Sequence, residues 1–385
     1  MKTCGIIAEY NPFHNGHKYQ LQEARKQSQA DVMIVVMSGN FLQRGEPAII
    51  DKWKRAEEAL HHGADLVIEL PIHWALQSAD YFAKGGIQLL HALHCDSFSF
   101  GTDNTGEFDY PAFGNFIISH QEAFDASFQE NNNPSLSYAE KMAAILAQDY
   151  PEFSLTKEQP NHILGLTYAK ENARFEQPMT IFPIQRLKSS HNSVELTEDI
   201  ASATAIRQAI TRNETIREVV PAKTAEDLAS YQVNWANYWP FLKYKILASS
   251  LRELGEIYQM VEGLEYRLKS KIKQADNFEE YVELVKSKRY TRTRIQRLLC
   301  YVLLNLKDDT VKSAWQDNYL HILGFSDKGQ QYLRQTKKKI HQPLISKVGQ
   351  TQEQLMSLAI QSDDIYRLAD DRITEQNYGK TPIRV

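Results

Sequence analysis

The feature that most limits how this chain can fold is an alternation that runs through its first half. Short, continuously apolar runs at Cys4–Ala8, Asp31–Ser38, Asp65–Leu70, Cys95–Phe100 and Met179–Ile184 are separated by stretches with helical spacing. Those stretches are Lys18–Gln29, Lys52–His62, Gln77–His91, two around Pro111–Gln148, and Ile163–Asn172. A strand that stays apolar at successive positions is buried on both faces, as in a parallel sheet covered by helices on each side. Right-handed crossovers then lead to an α/β fold with a doubly wound parallel sheet. After about Arg217 the character changes. In "FLKYKILASSLRELGEIYQMVEGLEYRLKSKIKQA" apolar residues recur at three- and four-residue spacing, the helical signature. The expected organisation is an α/β domain over residues 1–220 and a mainly helical domain over 221–385. The polar stretch Asn213–Asp227 is the junction, and an irregular tail follows Asp370.

Charge and cysteine content narrow the surroundings. The net charge of −4 means that the chain is not a polycation, so any contact with nucleic acid has to come from a local basic surface. Cys4, Cys95 and Cys300 are far apart and form neither a disulfide framework nor a zinc knuckle, as expected of a reducing cytoplasm. The first apolar run meets Glu9 almost at once, and no apolar stretch approaches the roughly 18 residues of a spanning helix. A soluble cytoplasmic protein without membrane contact is expected; the sequence carries no signal of oligomeric state.

The segment His14-Asn15-Gly16-His17 falls on the turn after the first expected strand, with the helix expected to begin near His17. Open α/β sheets bind their ligands at that carboxyl edge. A helix start there offers free backbone N–H groups and a favourable dipole to an anion. Gly16 would let the backbone come close, and Asn11 and Pro12 suit a turn that aims the loop. Two imidazoles add donors for phosphate oxygens, most useful when charge grows on them as a nucleophile attacks. Zinc is the competing reading, but it needs a third protein ligand and usually a longer helical spacing, and neither is present. Two histidines without a role are the remaining alternative.

His14-x-Gly16-His17 resembles the signature of the HxGH nucleotidyltransferase superfamily, whose members transfer a nucleotidyl group by attack on an α-phosphate. The superfamily's second motif has a counterpart in Ile200-Ala201-Ser202-Ala203-Thr204-Ala205-Ile206-Arg207, after the last expected strand. Taken alone, that stretch is an ordinary capped helix. Its Ser202 and Thr204 hydroxyls and Arg207 would suit the β- and γ-phosphates. The longer stretches "IIAEYNPFHNGH", "SGNFLQRGEPAIIDKWKRAEEALHHGADLVIELP", "FSFGTD", "QPNHILGLTYAK" and "ASATAIR" together resemble the bacterial tRNA(Met) cytidine acetate ligase family. In the second half the resemblance thins to "YTRTRIQRLL" and "HILGFSDKG".

The resemblance implies a two-step ligase. Acetate would attack ATP to give acetyl-adenylate and pyrophosphate, and the wobble cytidine of elongator tRNA(Met) would take the acetyl group on N4 as AMP leaves, without acetyl-CoA. It places catalytic roles on His14, His17, Ser202 and Arg207. ATP contacts would fall on Ile7, Ala8, Glu9, Tyr10, Asn11, Pro12, Phe13, His14, Asn15, Gly16, His17, Lys18, Tyr19 and Gln20, completed by Gly101, Asn161 and Arg186. Gly101 could equally be a plain strand end, and Asn161 a helix cap. His162 departs from the family, where an amide is expected. Ser38, Gly39, Asn40 and Arg44 would wall a small-acid pocket. Magnesium is expected with ATP, yet no carboxylate cluster marks its ligands.

For the tRNA the candidates are Lys286, Lys288, Arg289, Arg292, Arg294 and Arg297 in "KSKRYTRTRIQR", with a second basic cluster at Arg334–Lys339. A basic run is most often a solvated face, but two in one helical domain favour phosphate-backbone contact. Two other functions compete: an adenylyltransferase that makes a nucleotide cofactor, and a non-catalytic RNA-binding protein on the same fold.

Overall fold

A computed structural model describes residues 1–104, 107–130, 138–149, 160–186 and 200–385. The five strands expected from the apolar runs are present: β1 (Thr3–Ala8), β2 (Val32–Ser38), β3 (Leu66–Leu70), β4 (Ser97–Thr102) and β5 (Thr180–Gln185). They lie in the order β5-β4-β1-β2-β3, and each neighbouring pair is parallel. The chain thus winds outward from β1 through β2 and β3, then returns to the other side for β4 and β5. At such a reversal the crossovers leave on opposite faces and a crevice opens beyond the strand ends.

Both faces of this sheet are covered, as continuous apolar strands require. Along β2, Met33, Val35 and Met37 join one core with Leu21, Trp53 and Ala56 of the helices Asn15–Ser28 and Lys52–His61. Val32, Ile34 and Val36 join another with Phe82, Ile87 and Leu166 from the helices Ala79–Ala92 and Pro160–Asn172. This is the period-two alternation of a strand, with apolar residues on both sides.

The second half adds strands to the same sheet. β6 (Leu320–Phe325) runs antiparallel to β3, and β7 (Leu344–Ile345) and β8 (Ile383–Arg384) pair in parallel with β6. The sheet is therefore mixed, and residues expected to belong to the helical unit extend it. An unpaired edge of β3 would expose a row of backbone donors and acceptors, and the short apolar run in "LHILGF" covers them. The tail expected to be irregular ends in β8.

Helices Trp235–Ala248, Phe278–Val285 and Arg292–Leu303 build a separate core around Leu242, Ile246, Tyr281, Leu298 and Leu299. That core also takes Phe41, Ile49 and Ile50 from the loop after β2. The loop meets the last of these helices backbone to backbone. Gly45 has φ of +79°, and a Cβ there would stand 2.3 Å from the Arg297 nitrogen. Trp235 Nε1 donates to the Gly45 carbonyl at 3.0 Å and fixes the approach.

Candidate active site at the reversal of the sheet

β1 ends at Ala8, and Tyr10 takes a left-handed φ of +51° as the chain turns. Helix Asn15–Ser28 begins earlier than expected, with His14 in an extended conformation just before it. His14 and His17 consequently sit one helical turn apart and stack, with ring centres 3.6 Å apart. Gly16 has a different use from the one anticipated. A Cβ there would stand 2.9 Å from His14 Cε1, so the glycine makes room for the His14 ring itself. Tyr10 packs edge-on against His17, with centres 4.8 Å apart.

The hydrogen bonds settle the state of the pair. The His14 backbone N–H donates to His17 Nδ1 at 3.3 Å, so neutral His17 carries its proton on Nε2. Burial pushes the His14 imidazole down to about 3, and the nearby Arg186 and Arg207 charges add to this. Burial likewise lowers His17 well below the usual range, with His14 and Arg186 contributing. Near neutral pH both rings are uncharged, and each offers one N–H. His14 Nδ1 is buried with no hydrogen-bond partner among the described residues. Such an atom carries a desolvation cost that a ligand can recover.

The rings line a cavity of about 820 Å³. Of the positions expected to bind ATP, Ile7, Ala8, Glu9, Tyr10, Asn11, His14, Gly16, His17, Tyr19, Gln20, Gly101, Asn161 and Arg186 line it, and so does Arg207. Pro12, Phe13, Asn15 and Lys18 do not. Phe13 is buried in the core beside Leu21, and Lys18 is exposed. Asn15 Nδ2 donates to the Glu218 carbonyl at 2.8 Å, tying the turn to the chain beyond the second motif.

Asp103, directly after β4, holds Asn161 at the wall of the cavity. Its Oδ2 accepts from Asn161 Nδ2 at 3.1 Å, and its Oδ1 accepts the His162 backbone N–H at 2.9 Å. Asn161 therefore faces the cavity while holding the start of its helix. His162 is buried, and its Nδ1 lies 2.8 Å from the Tyr110 hydroxyl, which in turn meets Thr102 Oγ1 at 3.0 Å. Its place is structural. Gln159, which opens the family stretch, lies outside the described residues. Arg186 anchors its backbone to the Thr102 carbonyl at 2.9 Å, and burial lowers its guanidinium although Asp103 opposes this.

In the second motif one residue stands apart from the cavity wall. Ser202 caps the helix Ala203–Thr211, its Oγ accepting from the Ala205 N–H at 3.1 Å, and it does not line the cavity. The orphan donors of a helix start claim that oxygen first. Thr204 lines the cavity instead. Arg207 Nη1 donates to the Asn11 carbonyl at 2.7 Å, and its Nη2 pairs with Glu46 at 3.3 Å. Most of the expected acid pocket lies away from the cavity as well. Gly39 abuts Glu69, and Asn40 is committed to Lys52, Asp363 and Gln376, so neither reaches the cavity. Ser38 is also absent from its wall, whereas Arg44 lines it.

The basic run does not act as one surface. Arg292 pairs with Glu279 and Glu283, and Lys286 with Glu283. The Arg289 and Arg294 guanidiniums lie 5.5 and 4.9 Å from the centre of the Tyr290 ring, and Lys288 is exposed. Arg297 alone of the six lines the cavity, with Thr291 and Thr293 beside it. Sequence reasoning missed Gln43, Glu46 and Thr293, which sit on a loop and a helix start with no periodic signal. Among the described residues no group of three or more His, Cys, Asp or Glu is placed to hold a metal ion. Among the same residues no helix is long and apolar enough to cross a membrane.

The profile of the HIGH nucleotidyl transferase family matches residues 1–381. A tRNA(Met) cytidine acetate ligase of Latilactobacillus sakei is 44% identical over 100% of this chain and 97% of its own. Its counterpart from Streptococcus suis is 40% identical over 100% of both chains. The apo crystal structure of Thermotoga maritima TmcAL superposes with a TM-score of 0.89 at 28% identity, covering 100% of each chain. The same protein bound with alpha-thio ATP matches with the same score, identity and coverage.

Proposed function

The chain belongs to the HIGH nucleotidyl transferase family and within it to the tRNA(Met) cytidine acetate ligases, and on that premise we propose that one cavity activates acetate and delivers it to tRNA. In the first step a carboxylate oxygen of acetate attacks the α-phosphorus of ATP. The bond to pyrophosphate breaks, its electron pair leaves with pyrophosphate, and acetyl-adenylate remains. In the second step N4 of the wobble cytidine of elongator tRNA(Met) attacks the acetyl carbonyl. The carbon–oxygen bond to AMP breaks, the amine loses a proton, and N4-acetylcytidine is formed. Activation by ATP makes acetyl-CoA unnecessary.

The observation that carries this reading is the neutral, stacked pair His14 and His17 at the reversal of the sheet, with His14 Nδ1 buried and without a partner among the described residues. Two uncharged N–H donors suit the non-bridging oxygens of an α-phosphate as negative charge grows there. Arg186, Arg207 and the start of helix Ala203–Thr211 suit the β- and γ-phosphates. Arg207 is held by Glu46 in this structure, so the triphosphate would take over an existing charge contact. Magnesium fits as an ion carried in by the phosphate oxygens. The carboxylates in the cavity wall are already engaged, Glu9 with the Gln43 N–H at 2.7 Å and Glu46 with Arg207. A cytoplasmic site of action accords with these substrates.

The test is direct. Pyrophosphate release from ATP rises with acetate, and adding the elongator transcript yields acetylated tRNA. Acetate-independent turnover with a phosphorylated metabolite would instead make the protein a cofactor adenylyltransferase.

A further inference from the structure

The cavity has a wall that the nucleotide motifs do not account for. Thr291, Thr293 and Arg297 line it from the start of helix Arg292–Leu303, an element of the helical half. Arg297 is the informative member. Its Nη1 reaches the Gln43 carbonyl only at 3.4 Å, and its Nε is buried with no partner among the described residues. It pairs with no carboxylate among those residues, whereas Arg207 has Glu46 and Arg292 has two glutamates. A desolvated guanidinium with unused donors is costly unless an anion completes it. The side chain is not there by slack packing. The Gly45 loop lies against the backbone at Gln296 and Arg297, close enough that a Cβ would collide.

The ligand follows from what adjoins this wall. ATP already has two cations, Arg186 and Arg207, on the elements that carry its motifs. Arg297 instead continues a path that begins outside. Arg289 and Arg294 flank the Tyr290 ring, Thr291 is exposed, and Arg297 lies inward along the same helix. Tyr290 itself is buried in the helical core and serves to hold these two guanidiniums, and cations that lead from an exposed turn into the cavity suit the backbone phosphates of a single-stranded polynucleotide. We propose that this wall is the acceptor subsite, in which Arg297 holds the backbone phosphate of the nucleotide whose base enters the cavity. The proposal rests on the functional reading above and adds to it which wall receives the RNA.

The two half-reactions separate the possibilities. Acetate-dependent exchange of pyrophosphate into ATP needs no tRNA, and acetyl transfer does. Arg297→Ala is expected to keep exchange within about threefold of the unmodified protein while kcat/KM for elongator tRNA falls roughly 10- to 100-fold, as for loss of a charged hydrogen bond. Arg297→Lys, which keeps the charge and loses the fork, is expected to lie between them. Retained exchange also shows that the variant is folded. An equal fall in both half-reactions would move Arg297 to the ATP side and overturn the proposal, as would no fall in either. Absence of exchange in the unmodified protein would overturn the functional reading itself, and this subsite with it.

Discussion

Two clusters of titratable side chains sit at the carboxyl edge of one sheet, and they differ most in how completely they are hydrogen-bonded. Beyond β1 and β4, His14 and His17 face a cavity with Arg186 and Arg207, and His14 Nδ1 has no partner among the described residues. Beyond β2 and β3, the Lys52 ammonium donates to Glu69 at 2.9 and 2.8 Å and to Asp363 at 2.7 Å. His321 Nδ1 lies 2.6 Å from the same Glu69, and Asn40 Nδ2 donates to Asp363 at 2.8 Å. Burial opposes ionisation of Glu69, but Lys52 and His321 outweigh it and hold the carboxyl below its usual range. All three protons of the ammonium are spent. Both clusters include cations withdrawn from water; completeness of hydrogen bonding separates them. A closed network holds the strand ends, the loop after β2 and the C-terminal helix Ser357–Arg367 together, whereas an open one is ready for a ligand.

Breaking the closed cluster should give the largest effect, and on stability. Lys52→Met leaves Glu69 and Asp363 buried without their cation and is expected to cost about 3–5 kcal/mol of unfolding free energy, read as a lowered unfolding midpoint. An unchanged midpoint would erase the distinction drawn here. The open cluster should respond the other way. His17→Ala is expected to lower acetate-dependent turnover at least tenfold, about 1.4 kcal/mol of transition-state stabilisation, while moving the unfolding midpoint far less than Lys52→Met does. Turnover at the unmodified rate would count against any role for the pair in catalysis.

The smallest expected effect is an absence. With His14 at about 3 and His17 also depressed, neither ring of the free enzyme gains a proton as pH falls through the usual histidine range. The profile of kcat/KM for ATP, which reports the free enzyme, should therefore show no inflection near pH 6.5 from these residues. Stability has the opposite sensitivity. The unfolded chain takes up those protons near pH 6.5 and the folded one does not, so the contribution is complete above that pH and is lost as pH falls below it. A fall in kcat/KM centred near 6.5 that disappears in His14→Asn would show that the rings titrate freely.

The same contrast explains what could be read in advance. The histidine turn is legible because a strand end and a helix start fix where its residues point, whatever lies elsewhere in the chain. The five parallel strands are legible for a related reason, since continuous apolar runs have few places to go. The Lys52 network is not, because its members at positions 52, 69, 321 and 363 meet only once the fold is complete. β6 is as long as β1 but stands among helical patterns, where an apolar run of that length fits a helix equally well, and it becomes a strand because β3 offers an edge. Ser202 shows the limit of a motif: its hydroxyl belongs to the helix cap that any serine at that position would form. The basic run near residue 290 shows another. Charge alone does not tell which of six cations pairs with a glutamate on the surface and which, among the described residues, lies inside without a carboxylate.

The most direct measurement is a crystal structure of the protein with alpha-thio ATP or another slowly reacting analogue. The α-phosphate should lie within about 3 Å of the His14 and His17 ring nitrogens, with the remaining phosphates toward Arg186 and Arg207. A nucleotide bound elsewhere, or one whose α-phosphate stands apart from both rings, would contradict the account.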